Sequence, residues 1–135
     1  MSSEKINKAV GFIVKKLNPS FIILFGSYAK ETTHPASDLD IAFYHQTHFF
    51  NSYELFMFRQ ELADMLKMEV DLVDLRAAST VFQAQILSTG KVVYSTDENL
   101  RKQVTMTSYS MYSKLNEERF PILKRIEESG FIYEE

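Results

Sequence analysis

The chain has no cysteine, and only four glycines and three prolines among its 135 residues. Without cysteine it can form no disulfide, no thiolate metal site and no cysteine nucleophile. So few glycines and prolines exclude long flexible linkers. No stretch approaches the ~20 apolar residues that cross a bilayer, and no membrane association is expected. The N-terminal MSSEKINKAV lacks the charged, apolar, then small-residue order of a secretory signal. A cytoplasmic protein is expected. Positive charge is in short supply too: 15 Lys and Arg stand against 18 Asp and Glu, a net charge of −3. A duplex nucleic-acid partner requires basic residues gathered on one face, so no direct duplex binding is expected. A small anion that arrives with magnesium stays compatible, because the metal brings the positive charge.

What the chain does have is enough apolar residues, 45%, for one real core in one domain. Glu4 to Leu17 reads as an amphipathic helix, with Ile6, Val10, Ile13, Val14 and Leu17 at helical spacing. Asn18-Pro19 stops it, since the residue before proline is pushed out of the helical region. Phe21 to Phe25 is a wholly apolar run, the pattern of a strand buried on both faces. Asp38 to Tyr44 alternates, with Leu39, Ile41 and Phe43 on one side and Asp38, Asp40 and Ala42 on the other.

Further along, Ser52 to Lys67 predicts a second helix, capped by Ser52 and facing the core with Leu55, Phe58, Leu62 and Leu66. Val70 to Leu75 is a short strand with an irregular end, because Val70, Leu72 and Leu75 cannot share a face. Ser79 to Ser88 is helical and closes at Thr89-Gly90 with a C-terminal glycine. Val92 to Tyr94 forms the last strand. A long helix follows from Asp97 to about Glu118, and Pro121 is expected to break or kink the pattern beyond it.

The chemistry concentrates in two places. Asp38 and Asp40 lie two apart on a predicted strand, so both project from one face. Paired carboxylates that close repel unless a cation lies between them, and hard divalent ions with oxygen ligands suit such a pair. Gly26-Ser27 ends the buried strand before them. Glycine lets a phosphate approach the backbone closely, and a helical turn starting near Ser27 would add N–H groups for an anion. A third carboxylate completes a metal clamp. Asp71 is preferred for it, with Asp74 as the competitor in the same segment.

Gly26-Ser27, ten intervening residues, then Asp38-Leu39-Asp40 resemble the signature of the polymerase-beta-like nucleotidyltransferases. FGSYAKETTHPASDLDIAF is similar in particular to the minimal nucleotidyltransferases of bacteria and archaea. VDLVDL resembles that family's third-carboxylate strand, and Gln85 to Tyr94 its usual continuation, so the likeness covers about Ser20 to Asp97. The resemblance implies an α+β fold, a small mixed β-sheet flanked by helices, with a long C-terminal helix here. It implies one nucleotidyltransferase domain over 1–135, with its core at about 20–97 and a helical extension at 97–135. It also implies nucleotide binding by Gly26, Ser27 and Lys30, and a magnesium site on Asp38, Asp40 and Asp71. Two departures stand out: the family commonly has arginine then glycine where this chain has Lys30 and Glu31. Lysine keeps the charge but loses the two-pronged grip on phosphate, and Glu31 puts an anion near the triphosphate.

Small stand-alone members of this family resemble the antitoxin half of toxin–antitoxin modules. They silence an HEPN-type ribonuclease toxin by moving AMP from ATP onto a tyrosine. The resemblance therefore implies ATP and such a toxin as partners. The alternatives are neutralisation by contact alone, with an idle site, and modification of a small-molecule hydroxyl.

The remaining candidates read more plainly. His45 and His48 sit in a loop and are solvated, and His34 lies in the loop before Asp38, with approach to the nucleotide the lesser of its two readings. Phe49, Phe50, Tyr53, Phe56 and Phe58 are mostly core, as aromatics usually are. The C-terminal stripe of Phe120, Ile122, Leu123, Ile126, Phe131 and Ile132 either folds over the sheet or docks another protein.

Overall fold

A computed structural model describes residues 3–26 and 38–128, with side chains through 117. The first helix, α1 (Ser3–Leu17), buries Ala9, Ile13 and Leu17 along one stripe. It ends at Asn18, whose φ of 49° is the left-handed conformation that asparagine tolerates. The Asn18 N–H donates to the Val14 carbonyl at 3.1 Å.

Strand β1 (Phe21–Phe25) is buried along its whole length, as its unbroken apolar run predicts. Its side chains divide between two cores. Ile22 and Leu24 join the cluster that α1 and α2 (Ser52–Leu66) cover. Phe21, Ile23 and Phe25 join the one that α3 (Thr80–Thr89) covers, with Val104 from α4 (Glu98–Glu128) at its margin. β1 pairs antiparallel with β2 (Leu39–Tyr44) on one side and with β4 (Lys91–Ser95) on the other. β2 pairs in parallel with β3 (Val70–Asp74), giving a four-stranded mixed sheet in the order β3-β2-β1-β4. A parallel pair needs a crossover connection, and α2 supplies it. The mixed sheet flanked by helices is the fold the sequence resemblance implies. Among the described residues no helix is long and apolar enough to cross a membrane.

Several local expectations are corrected. α2 is capped by Asn51, not Ser52. The Asn51 side chain accepts from the Glu54 N–H at 2.8 Å, and the Glu54 carboxylate accepts from the Asn51 N–H at 3.1 Å. This reciprocal box satisfies two backbone donors that a helix start otherwise leaves free. Gly90 does follow α3, but its backbone is extended rather than left-handed. Glycine is needed there for space, because a Cβ would overlap an Ile23 methyl group and the Ile86 carbonyl. The irregular end of β3 is a single 3-10 turn, Leu75–Ala77, which turns Leu75 into the second core while Val70 and Leu72 serve the first.

The long helix is not broken at Pro121: α4 runs from Glu98 to Glu128. A proline there removes one N–H bond to the carbonyl four residues back. That carbonyl belongs to Glu117, an exposed position where water can satisfy it. The aromatic segment is also less buried than expected. Phe50 and Phe58 pack against the first core, whereas Phe49, Tyr53 and Phe56 are exposed. The apolar residues of the C-terminal stripe lie outside the described side chains.

Asn51→Ala should lower the unfolding free energy by about 1 kcal/mol, and Asn51→Asp by only a few tenths, in urea titrations followed by circular dichroism. Equal losses for the two would show that the side-chain cap is not what holds this helix start.

Candidate active site

The strands bring the sequence's chemical residues to one end of the sheet. Gly26 follows β1 directly and adopts a φ of +70°, a conformation that costs L side chains but not glycine. A Cβ built there would overlap a carboxylate oxygen of Asp40. Asp40 sits opposite Phe25 of β1 on one side and opposite Asp71 of β3 on the other. Partners in register project from the same face of a sheet. Asp40 and Asp71 therefore stand side by side, and the missing side chain of Gly26 leaves room for the Asp40 carboxylate against the backbone. Asp38 precedes β2 and is exposed, one residue before the strand the sequence placed it in.

The electrostatics follow from this crowding. The Asp40 carboxyl is held above its ordinary pKa of 3.8, first by partial burial and then by the charges of Asp71 and Asp38. Asp71 is about half exposed and faces the Arg59 guanidinium, Nη1 to Oδ1, at 4.0 Å. Asp74 is differently placed. It lies at the far end of β3 opposite Phe43, is buried, and accepts the Arg76 N–H at 3.2 Å as the cap of the 3-10 turn. Burial raises its pKa, and hydrogen bonds from the Arg76 and Ala77 backbone pull it partly back. The structure thus sets Asp71, and not Asp74, beside Asp40.

The donor chemistry fits a hard divalent cation. All three side chains offer carboxylate oxygens only, the ligand type magnesium takes, and Asp40 carries an excess of negative surroundings that a cation would relieve. Among the described residues no three such groups are already drawn into a closed metal-binding set. Ser27, Lys30, Glu31 and His34 lie outside the described residues.

Other side chains serve the frame. The Nδ1 of His45 accepts N–H bonds from Thr47 at 3.3 Å and His48 at 3.0 Å, so this histidine builds the turn after β2. Arg76 ties that turn to the end of β3. Its Nη1 donates to the carbonyls of His45 and Gln46 at 2.9 and 2.5 Å, and its guanidinium stacks on the Phe49 ring 3.7 Å from the centroid. A cleft of about 510 Å3 between α3 and α4 is lined by Val81, Ala84, Gln85, Ser88, Tyr109 and Tyr112, and none of the aspartates reaches it. Arg59 and Arg76 carried no motif in the sequence. Only their contacts in the fold reveal what they face.

Comparison with known proteins gives a consistent picture. Residues 5–99 match the family model described as polymerase beta, nucleotidyltransferase. The chain is 38% identical over 125 residues to the protein adenylyltransferase MntA of Shewanella oneidensis, covering 91% of this chain and 86% of that protein. A crystal structure of a toxin–antitoxin with AMP-PNP contains a chain that superposes with a TM-score of 0.81 at 32% identity, covering 93% of this chain and 98% of that one. A structure of the tri-AMPylated Shewanella oneidensis HEPN toxin in complex with MNT antitoxin matches with a TM-score of 0.78 at 31% identity. It covers the same shares of both chains.

The raised pKa of Asp40 has a measurable consequence for stability. In the absence of divalent cations its ionised form opposes folding. That penalty is absent below the unfolded value of 3.8 and sets in as pH rises through the higher folded value. Asp40→Asn should therefore raise the Tm of the metal-free protein near pH 7, with the gain vanishing towards about pH 3. A variant that is equally shifted at both pH values would show that charge is not the cause.

Proposed function

The chain belongs to the polymerase beta nucleotidyltransferase family, and on that premise we propose that it moves AMP from ATP onto a tyrosine of an HEPN-type ribonuclease toxin. It would thereby act as the antitoxin of that pair, in the cytoplasm, as a single domain over residues 1–135. The observation that carries this reading is the position of Asp40, flanked by Asp71 in the neighbouring strand and by the bare backbone of Gly26. The choice of a protein acceptor is supported by the 38% identity to a protein adenylyltransferase and the likeness to a chain from an AMPylated toxin complex. The acidic charge of the chain also suits a protein better than a polynucleotide.

In this mechanism Gly26 admits the triphosphate close to the backbone, while Ser27 offers a hydroxyl and Lys30 an ammonium to its oxygens. Asp38 and Asp40 would hold magnesium, with Asp71 as the third ligand. When bound, that ion would supply positive charge to the phosphates and to the leaving pyrophosphate. Asp71 takes the proton of the acceptor hydroxyl. The acceptor oxygen then forms its bond to the α-phosphorus as the α–β phosphoanhydride bond breaks and pyrophosphate leaves. The side chains position and neutralise; none forms a covalent bond.

With the purified toxin, magnesium and α-labelled ATP, the parent protein should label the toxin. Asp38→Ala combined with Asp40→Ala should reduce labelling by at least about a hundredfold. Unlabelled toxin that is nonetheless silenced, by parent and variant alike, would replace this reading with neutralisation by contact.

A further inference from the structure

The reaction as described uses Asp71 but not its ion-pair partner, Arg59. β3 is an edge strand, and α2 both precedes it in the chain and packs beside it. On α2, Leu62 and Leu66 are buried and Leu55 and Phe58 pack on the same core. Arg59 lies at the flank of that stripe, about one-third exposed. Its guanidinium rests 5.9 Å from the Phe56 ring centroid and reaches Asp71 Oδ1 at 4.0 Å. Among the described residues it is the one cation within ion-pair distance of that carboxylate.

We infer that Arg59 is a positioning residue that holds Asp71 at the outer edge of β3 until a divalent cation draws that carboxylate towards Asp40. The inference rests on the proposed role of Asp71 in the metal site. Three features of the geometry point the same way. Register places Asp71 beside Asp40 on one face, while its carboxylate contacts Arg59 of α2. The contact to Arg59 is a single long one rather than a two-pronged clamp, so it restrains Asp71 without locking it. The guanidinium has a second foothold on Phe56, which keeps it in place when Asp71 turns away.

Arg59 then competes with the cation for Asp71, and the competition can be read without any turnover. Binding of Mn2+ alone to the full chain, followed by the spin-resonance signal of free Mn2+, would be compared for the parent, Arg59→Gln and Arg59→Lys. Each would also be measured with Asp71→Asn. Arg59→Gln should bind Mn2+ about three- to fivefold tighter, the size of effect an exposed ion pair gives. Arg59→Lys, which keeps the charge, should stay within about twofold of the parent. With Asp71→Asn in place, the effect of Arg59→Gln should nearly disappear, as it must if the two residues act through each other. Unchanged or weaker binding by Arg59→Gln would overturn the inference, as would an equal gain in the Asp71→Asn background. Labelling of the toxin by the parent reports the transfer reading separately: no labelling with an intact Mn2+ shift removes the transfer and leaves the positioning role. No Mn2+ binding by the parent or any variant removes both the metal site and the inference.

Discussion

The parallel ladder between β2 and β3 sets Asp40 level with Asp71, and the rest of the site depends on that alignment. Two like charges in register on neighbouring strands oppose the pairing by up to about 1 kcal/mol. The pairing holds because the same strands bury Leu39, Ile41 and Phe43 from β2 and Leu72 from β3. A fully buried side chain of that size contributes roughly 1.5–3 kcal/mol. Burial outweighs repulsion, so the fold carries a pair of anions that nothing on the strands themselves neutralises. A divalent cation bound between them would relieve that repulsion.

Two features of the backbone set the surroundings of the aligned carboxylates. Gly26 takes a left-handed conformation at the end of β1, and its missing side chain lets the Asp40 carboxylate lie against the backbone. The α2 crossover that makes the parallel pairing also carries Arg59 to the outer edge of β3. Asp71 thus stands between an anion on one side and a cation on the other. That position suits a ligand that must change partners.

Much of this was legible in the sequence. The apolar run Phe21–Phe25 and the alternation after Asp38 mark strands because burial on two faces, or on one, leaves a different period. The spacing from Gly26 to Asp38 and Asp40 marks the chemistry. Asp71 and Asp74 look alike in VDLVDL, and only the register separates them: one falls beside Asp40, the other opposite Phe43 at the start of a 3-10 turn. Asn51 and Ser52 are both good cap residues, and the Glu54 carboxylate, which accepts from the Asn51 N–H, decides between them. The exposure of Phe49, Tyr53 and Phe56 has no local signal either. Phe49 lies under Arg76, 27 residues away in sequence, and Tyr53 and Phe56 fall on the side of α2 that the sheet leaves uncovered. The helix continues through Pro121, so one lost backbone bond does not end it.

The central claim is that the carboxylates aligned by the sheet form one divalent-cation site beside Gly26. Crystals grown with Mn2+ and a non-hydrolysable ATP analogue, measured at the manganese absorption edge, test it most directly. The anomalous difference map should show manganese held by Asp38 and Asp40, with Asp71 turned towards it and away from Arg59. Manganese bound elsewhere on the chain, with Asp40 and Asp71 free of it while the nucleotide is present, would contradict the claim.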